Sequence, residues 1–302
     1  VTAQITHRDR SFISGGVKCS AWHFSGAPGD GQDNGRPVVV MGHGFGGTKD
    51  SGLQPFAERF AAAGFDVLAI DYRGFGTSEG QPRQTISIDR QVADYHAAAA
   101  HAKTLDGVDP ARIVLWGSSL SGGHVIRVGA ERSDVAAVIS MTPLTDALAT
   151  GRAIMKQYPA ASALKATADG VLNRVGGRFG RVPAMMPIVA RPGEPGALAL
   201  DGALESYLSI AGPSWRNEVD ASVGLELGRI RTKPYAKRLR APLLVQIADF
   251  DRYVPADAVA KTAAQGRAWV HHYPCDHFDV WPGHGWFERA ADDQIAFLRK
   301  VL

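Results

Sequence analysis

The sequence predicts an α/β protein: a mostly parallel sheet flanked by helices, with an inserted, mostly helical cap. Three observations predict it. Short apolar runs such as "VVVM" and "RIVLW" alternate with longer stretches whose apolar residues recur at helical spacing. Glycines gather where those runs end. The alternation stops at Pro143, resumes after Arg240, and leaves a different texture between. Strands alternating with helices imply a sheet covered on both faces.

The elements follow in order. "SFISGGVKCSAWHF" reads as a short hairpin turning at Gly15–Gly16, and "GAPGDGQDNGRP" as a loop. Val38–Gly42 is a strand that is β-branched on both faces, hence buried on both. Leu53–Gly64 is a helix closed by glycine. Asp66–Ile70 is the next strand, and Gln84–Leu105 a long helix. Arg112–Trp116 is a strand, Leu120–Glu131 a helix and Val135–Met141 a strand. The pattern returns with strands at Ala241–Ala248 and Ala268–Tyr273, and ends in a helix from Phe287 to Leu302. Between them, helical fragments such as "DGALESYLSIAG" alternate with Gly/Pro-rich pieces such as "VARPGEPGA". Roughly 100 residues are too many for a loop. The expected organisation is a core of residues 1–142 and 241–302, with a cap at 143–240.

Composition narrows the function classes. The 302 residues are 45% hydrophobic, enough for a sizeable core. Thirty-three Lys and Arg stand against 30 Asp and Glu, a net charge of +3 with the signs mixed. No basic run suggests a nucleic-acid track, so no nucleic-acid partner is expected. Two cysteines, Cys19 and Cys275, do not make a disulfide scaffold. No stretch of 18 apolar residues suggests a membrane span. The opening "VTAQITHRDR" does not read as a signal peptide, though one removed earlier stays open; a cytoplasmic location is expected. A homo-oligomer is compatible with all of this.

The chemistry gathers at strand ends. "GSSLSGG" follows "RIVLW" and opens a helix, the context of a nucleophile elbow. Counting from Gly117 makes Ser119 the nucleophile; Ser118 faces away, with a local hydrogen bond in reach. An ordinary turn before a helix is the rival reading, and Gly122–Gly123 argue against it. A serine hydroxyl needs a base, and the base needs an orienter. His277, in the loop after Ala268–Tyr273, is the natural base, with His284 in reserve. Of His271 and His272, within the strand, one is expected buried and one packed against a helix. Asp249 and Asp251 compete for the acid role. Asp251 is preferred and Asp249 assigned to a turn. Asp276 is too near His277 to orient it, and Asp279 is expected to brace or cap the histidine loop.

"GHGFGG" then has a job. Acyl transfer builds negative charge on the carbonyl oxygen, and two backbone amides usually hold it. Leu120, after the nucleophile, supplies one; Phe45 supplies the other, with Gly44 allowing close approach. His43 is expected to brace this loop. A phosphate loop is excluded by spacing, and neither an H-E-x-x-H motif nor a cysteine cluster marks a metal site.

Together "HGFGG", "DYRGFGTSEG", "GSSLSGG", "DFDRYVP" and "HFDVWPG" resemble the α/β-hydrolase superfamily across nearly the whole chain, nearest to bacterial esterases and dienelactone-hydrolase-like serine hydrolases. The resemblance implies a triad of Ser119, Asp251 and His277, an oxyanion hole at Phe45 and Leu120, and no cofactor. The chain departs from the pattern at Ser121 and Ala248, where glycine is common. The expected activity is cleavage of a small or medium, partly apolar carboxylic ester, a small-molecule acyl substrate. Thioesterase, lactonase or cyclase, peptidase or amidase, and C–C bond hydrolase use the same triad. A non-catalytic binding protein on this scaffold is the alternative from another class. Met155, Tyr158 and Trp215 are candidate substrate contacts in the cap, with packing onto the core as their rival role.

Overall fold

The computed structural model describes residues 6–28, 35–157, 168, 170–173, 175–176, 179 and 183–302, without the side chains of 154–157. Strands β1 (His7–Ser14) and β2 (Val17–Phe24) form an antiparallel hairpin. Strands β3 (Arg36–Gly42), β4 (Asp66–Ile70), β5 (Val108–Ser118) and β6 (Val135–Met141) follow. Helices α1 (Leu53–Ala62), α2 (Ile88–Ala102) and α3 (Leu120–Glu131) alternate with them. After the inserted stretch come β9 (Leu243–Ala248), α8 (Ala256–Gln265), β10 (Trp269–Tyr273) and α9 (Phe287–Val301). The eight-stranded sheet runs β1-β2-β4-β3-β5-β6-β9-β10. Strand β2 pairs antiparallel with β4, and all pairs from β4 onward are parallel.

Burial explains why these runs are strands. Val38, Val39, Val40 and Met41 are all fully buried, as are Ile113 to Trp116. A central parallel strand faces helices on both sides, so both its faces must be apolar. The edge strand obeys another rule. Strand β10 has one strand neighbour, and His272 is exposed there while His271 is half-buried. The expectation that one of the two would be buried therefore fails. His271 does lie against α9, with Nδ1 3.4 Å from Asp293 Oδ2.

Helix α2 begins four residues later than the sequence suggests. Gln84 takes a left-handed φ of 55° instead of starting the helix. Its side-chain amide donates to the Glu218 carbonyl at 2.7 Å, and its own carbonyl accepts the Asp220 amide at 2.9 Å. Those long-range bonds hold it out of the helix.

The inserted stretch carries helices α4 (Ala147–Gln157), α5 (Ala203–Ile210), α6 (Val223–Leu227) and α7 (Lys233–Arg238). It also carries a two-stranded ribbon of β7 (Met185–Met186) and β8 (Val219–Asp220), beside the helices that a mostly helical reading expects. Helix α7 packs against α3 and α8, and its Ala236 is fully buried. The insertion thus returns to the sheet along the flank of the helix that follows the elbow. Among the described residues, no helix is long and apolar enough to cross a membrane.

Candidate active site

Four loops gather at the carboxyl edge of the parallel strands, after β3, β5, β9 and β10. The second of these joins β5 to α3. Ser119 sits there at φ 54°, ψ −117°, a conformation that L-residues avoid unless the surroundings impose it. Gly117 makes the turn feasible: a Cβ there would lie 2.3 Å from the Ser121 carbonyl oxygen. The elbow is tied to the end of β6. The Ser119 amide donates to the Met141 carbonyl at 2.9 Å, and the Leu144 amide donates to the Ser119 carbonyl at 2.8 Å.

The neighbouring serines divide the work. Ser118 is fully buried, and its hydroxyl has no partner among the described residues, against the local bond the sequence suggested. Ser121 takes that part. Its Oγ accepts the Ser118 amide at 3.0 Å and lies 2.7 Å from the Gly42 carbonyl, to which it donates. Serine in place of the commoner glycine thus links the elbow to the end of β3.

The loop after β3 runs alongside. A Cβ on Gly44 would lie 3.0 Å from the Ser118 carbonyl oxygen and 3.1 Å from Ser119 Cβ, so only a backbone without a side chain fits this close. Phe45 follows, almost buried. Leu120 is the first residue of α3, where an amide has no carbonyl of its own helix to bind. Ser119 does not cap that helix with its side chain. His43 braces the loop: its Nε2 donates to the Ser51 carbonyl at 2.7 Å, and its ring stacks on Trp281 at 5.2 Å. Burial drives its pKa down to about 4, so the imidazole stays neutral. Lys49 and Asp71 form a buried ion pair at 2.7 Å beneath the same loop.

Gly47 gives a stability prediction. A Cβ there would fall 1.7 Å from His43 Nδ1. Gly47→Ala should destabilise the fold by about 1–3 kcal/mol through overpacking. Urea unfolding of the two proteins side by side checks it. A variant as stable as the parent would mean that the His43 ring moves aside freely.

The acid and histidine loops follow β9 and β10. His277 Nδ1 lies 2.6 Å from Asp251 Oδ2, with both side chains buried. An ionised carboxylate can only accept, so Nδ1 carries the proton and Nε2 is left as the acceptor. The other oxygen of Asp251 accepts the amides of Tyr253 and Val254, each at 2.8 Å. Burial of His277 opposes its cation, but the Asp251 charge and hydrogen bond outweigh burial, with Asp276 adding, and raise the histidine above its usual 6.5. Asp249 turns elsewhere and meets exposed His272 at 2.6 Å. Asp276 accepts the His277 amide at 2.8 Å and pairs with Arg252 at 2.5 Å. Asp279 accepts the Asp276 amide at 2.9 Å, bracing the histidine loop. His284 lies apart, 3.2 Å from Ser209 Oγ.

The cap residues separate. Trp215 is half-buried and stacks on Tyr207 at 5.1 Å. The side chain of Met155 and all of Tyr158 lie outside the described residues. Tyr207 was not singled out by sequence, although Ala203, Tyr207 and Ile210 share the spacing of a buried helix face and are buried.

An antiparallel lead-in to a parallel sheet, with an elbow, an acid loop and a histidine loop on one edge, defines an α/β hydrolase with an esterase-like fold and inserted helical elements. The family model Hydrolase_4, described as serine aminopeptidase, S33, matches residues 33–274, and the chain belongs to that family. The chain is 36% identical over 297 residues to the quorum-quenching protein AidA of Acinetobacter baumannii (strain MDR-ZJ06), covering 97% of this chain and 95% of that one. It is 34% identical over 163 residues to the thiohydrolase aneE of Aspergillus aculeatus, covering 54% of this chain and 50% of that one. The solved structure of DcsB with its substrate analogue matches with a TM-score of 0.82 at 22% identity, over 98% of this chain and 99% of that one. GrgF from Penicillium sp. sh18 matches at 0.81 and 21%, with the same coverage. At such identities the structural likeness speaks to the fold.

Proposed function

We propose that the chain cleaves a small or medium, partly apolar carboxylic ester through an acyl-enzyme on Ser119. His277 Nε2 takes the Ser119 proton as Oγ attacks the carbonyl carbon. The amides of Phe45 and Leu120 hold the oxyanion. Asp251 stabilises the imidazolium, which then protonates the departing alcohol. Water, deprotonated by His277, attacks the acyl-enzyme, and the acid leaves with Ser119 restored. The observation that carries this reading is the buried 2.6 Å contact between His277 Nδ1 and Asp251 Oδ2, on the edge where Ser119 occupies a left-handed elbow. A bare binding protein has no need of a buried histidine–carboxylate pair on the same sheet edge as a strained serine.

The names of two relatives favour particular acyl bonds within this chemistry. A thiohydrolase points to a thioester. A quorum-quenching protein fits the removal of a small diffusible signal, for which a lactone or ester is the bond such a triad opens. Turnover of matched ester, lactone, thioester and amide panels by the wild type and His277→Ala decides among them. Turnover that survives His277→Ala would dismiss the triad reading.

We further propose that residues 143–240 act as a cap that selects the substrate. The insertion leaves the sheet at its carboxyl edge, where ligands of open α/β sheets bind. Small acyl esters should then outpace long-chain emulsified triglycerides. Substitution of Met155, Tyr158 or Trp215 should change KM or substrate ranking more than melting temperature. Lower melting temperatures with an unchanged ranking would assign these residues to packing.

A further inference from the structure

Tyr207 stands 162 residues from Phe45 in the chain, yet its phenol donates a 2.7 Å hydrogen bond to the Phe45 carbonyl. Its ring is buried on three sides by named partners. It stacks on Trp215 at 5.1 Å, meets Phe278 edge-on at 5.8 Å and lies 6.5 Å from His43. Phe278 in turn packs edge-on against the His277 ring at 5.2 Å. One side chain of α5 therefore touches the oxyanion loop and the histidine loop directly, and reaches the His277 ring through one neighbour.

The same stretch is fastened further along. The Gly212 amide donates to Ser51 Oγ at 3.2 Å, and the Ser214 amide donates to Asp50 Oδ2 at 2.8 Å. Gly212 lies so close that a Cβ there would stand 2.2 Å from the Asp50 carbonyl oxygen. Residues 207–214 are thus bolted along residues 45–51.

We propose that Tyr207 is a positioning residue of the oxyanion hole: its hydroxyl anchors the Phe45–Gly46 peptide, which restrains rotation about the Phe45 Cα–C bond, keeps that carbonyl turned away from the acyl oxygen and so steadies the residue whose amide is assigned to the hole. This rests on the assignment of Ser119 and Phe45 made above. The Phe45 carbonyl is an acceptor beside a site that must stabilise negative charge. Turning it toward the acyl group would set two negative oxygens face to face, and it would leave a buried phenol without its acceptor. The tyrosine bond opposes that rotation. Burial pushes the Tyr207 pKa well up, so the phenol stays protonated and donates throughout the neutral range. The cap then does more than wall the site: its seating on residues 45–51 orders part of the catalytic machinery.

Tyr207→Phe tests this, because it keeps the ring contacts and removes only the hydroxyl. We expect kcat to fall about tenfold, less than the roughly 10²–10³ that follows outright loss of an oxyanion donor. KM should hold. The affinity for a boronic acid, which forms a tetrahedral adduct on the nucleophile, should fall in parallel with kcat, while the melting temperature stays close to the parent. A lowered melting temperature with unchanged kcat and unchanged boronate affinity would reduce Tyr207 to a packing residue. Ser119→Ala in the same assay separates the two layers of argument. If it remains active, the nucleophile assignment fails. If it is inactive while Tyr207→Phe matches the parent, only the positioning role fails.

Discussion

Ser119→Ala should lower kcat by on the order of 10⁵–10⁶, whereas Ser118→Ala should leave it near the parent value. Only the first serine carries the left-handed elbow conformation, with φ at 54°. That backbone lifts its side chain out of the strand and helix that flank it. The second is fully buried, at the end of β5, with a hydroxyl that bonds nothing among the described residues. Removing a buried unpaired hydroxyl relieves a desolvation cost, so Ser118→Ala should be neutral or stabilising. Steady-state kinetics and melting curves on both variants check the pair. Equal losses of kcat would mean that the elbow does not discriminate between the two serines.

Asp251→Asn should cost about 10⁴ in kcat with the fold intact. The carboxylate both fixes the His277 tautomer and opposes the charge that develops on the ring. An asparagine does neither dependably, since its amide can present a donor to Nδ1. The pH profile should change as well. In the parent, burial disfavours the imidazolium, but the Asp251 charge and hydrogen bond prevail. The neutral base is therefore lost, and kcat/KM falls, as pH drops through a value above the usual 6.5. Without the carboxylate the burial penalty dominates, so the acidic limb should move to lower pH while the plateau collapses. Asp249→Asn should do little, because its partner His272 is exposed and a surface pair of this kind is worth about 1 kcal/mol or less. An unchanged acidic limb in Asp251→Asn would show that His277 does not control the profile.

Much of this was legible because the informative residues are local. Four consecutive buried apolar residues, Val38–Met41, announce a central strand wherever it lies in the sheet. The elbow sits just past the buried run Ile113–Trp116, the acid segment past the buried strand β9 and the histidine segment past the edge strand β10, so strand ends could be used to find them. What depends on distant partners was not legible. The exposure of His272 follows from β10 lying at the sheet edge, which is a property of strand order. The late start of α2 follows from the bonds of Gln84 to residues 218 and 220. The contact of Tyr207 with Phe45 spans most of the inserted stretch, and within "ESYLSI" the tyrosine looks like any buried helical aromatic. Ser121 looked like a departure from a glycine pattern; its hydroxyl ties the elbow to Gly42, a bond across 79 residues.

The central claim is that Ser119 is the nucleophile, and adduct mapping tests it most directly. The protein is treated with a fluorophosphonate, digested, and the modified residue located by tandem mass spectrometry. The account predicts a phosphonyl group on Ser119, formed with loss of fluoride, and no labelling of Ser119→Ala. A phosphonyl group on Ser118, or labelling that persists in Ser119→Ala, would contradict it.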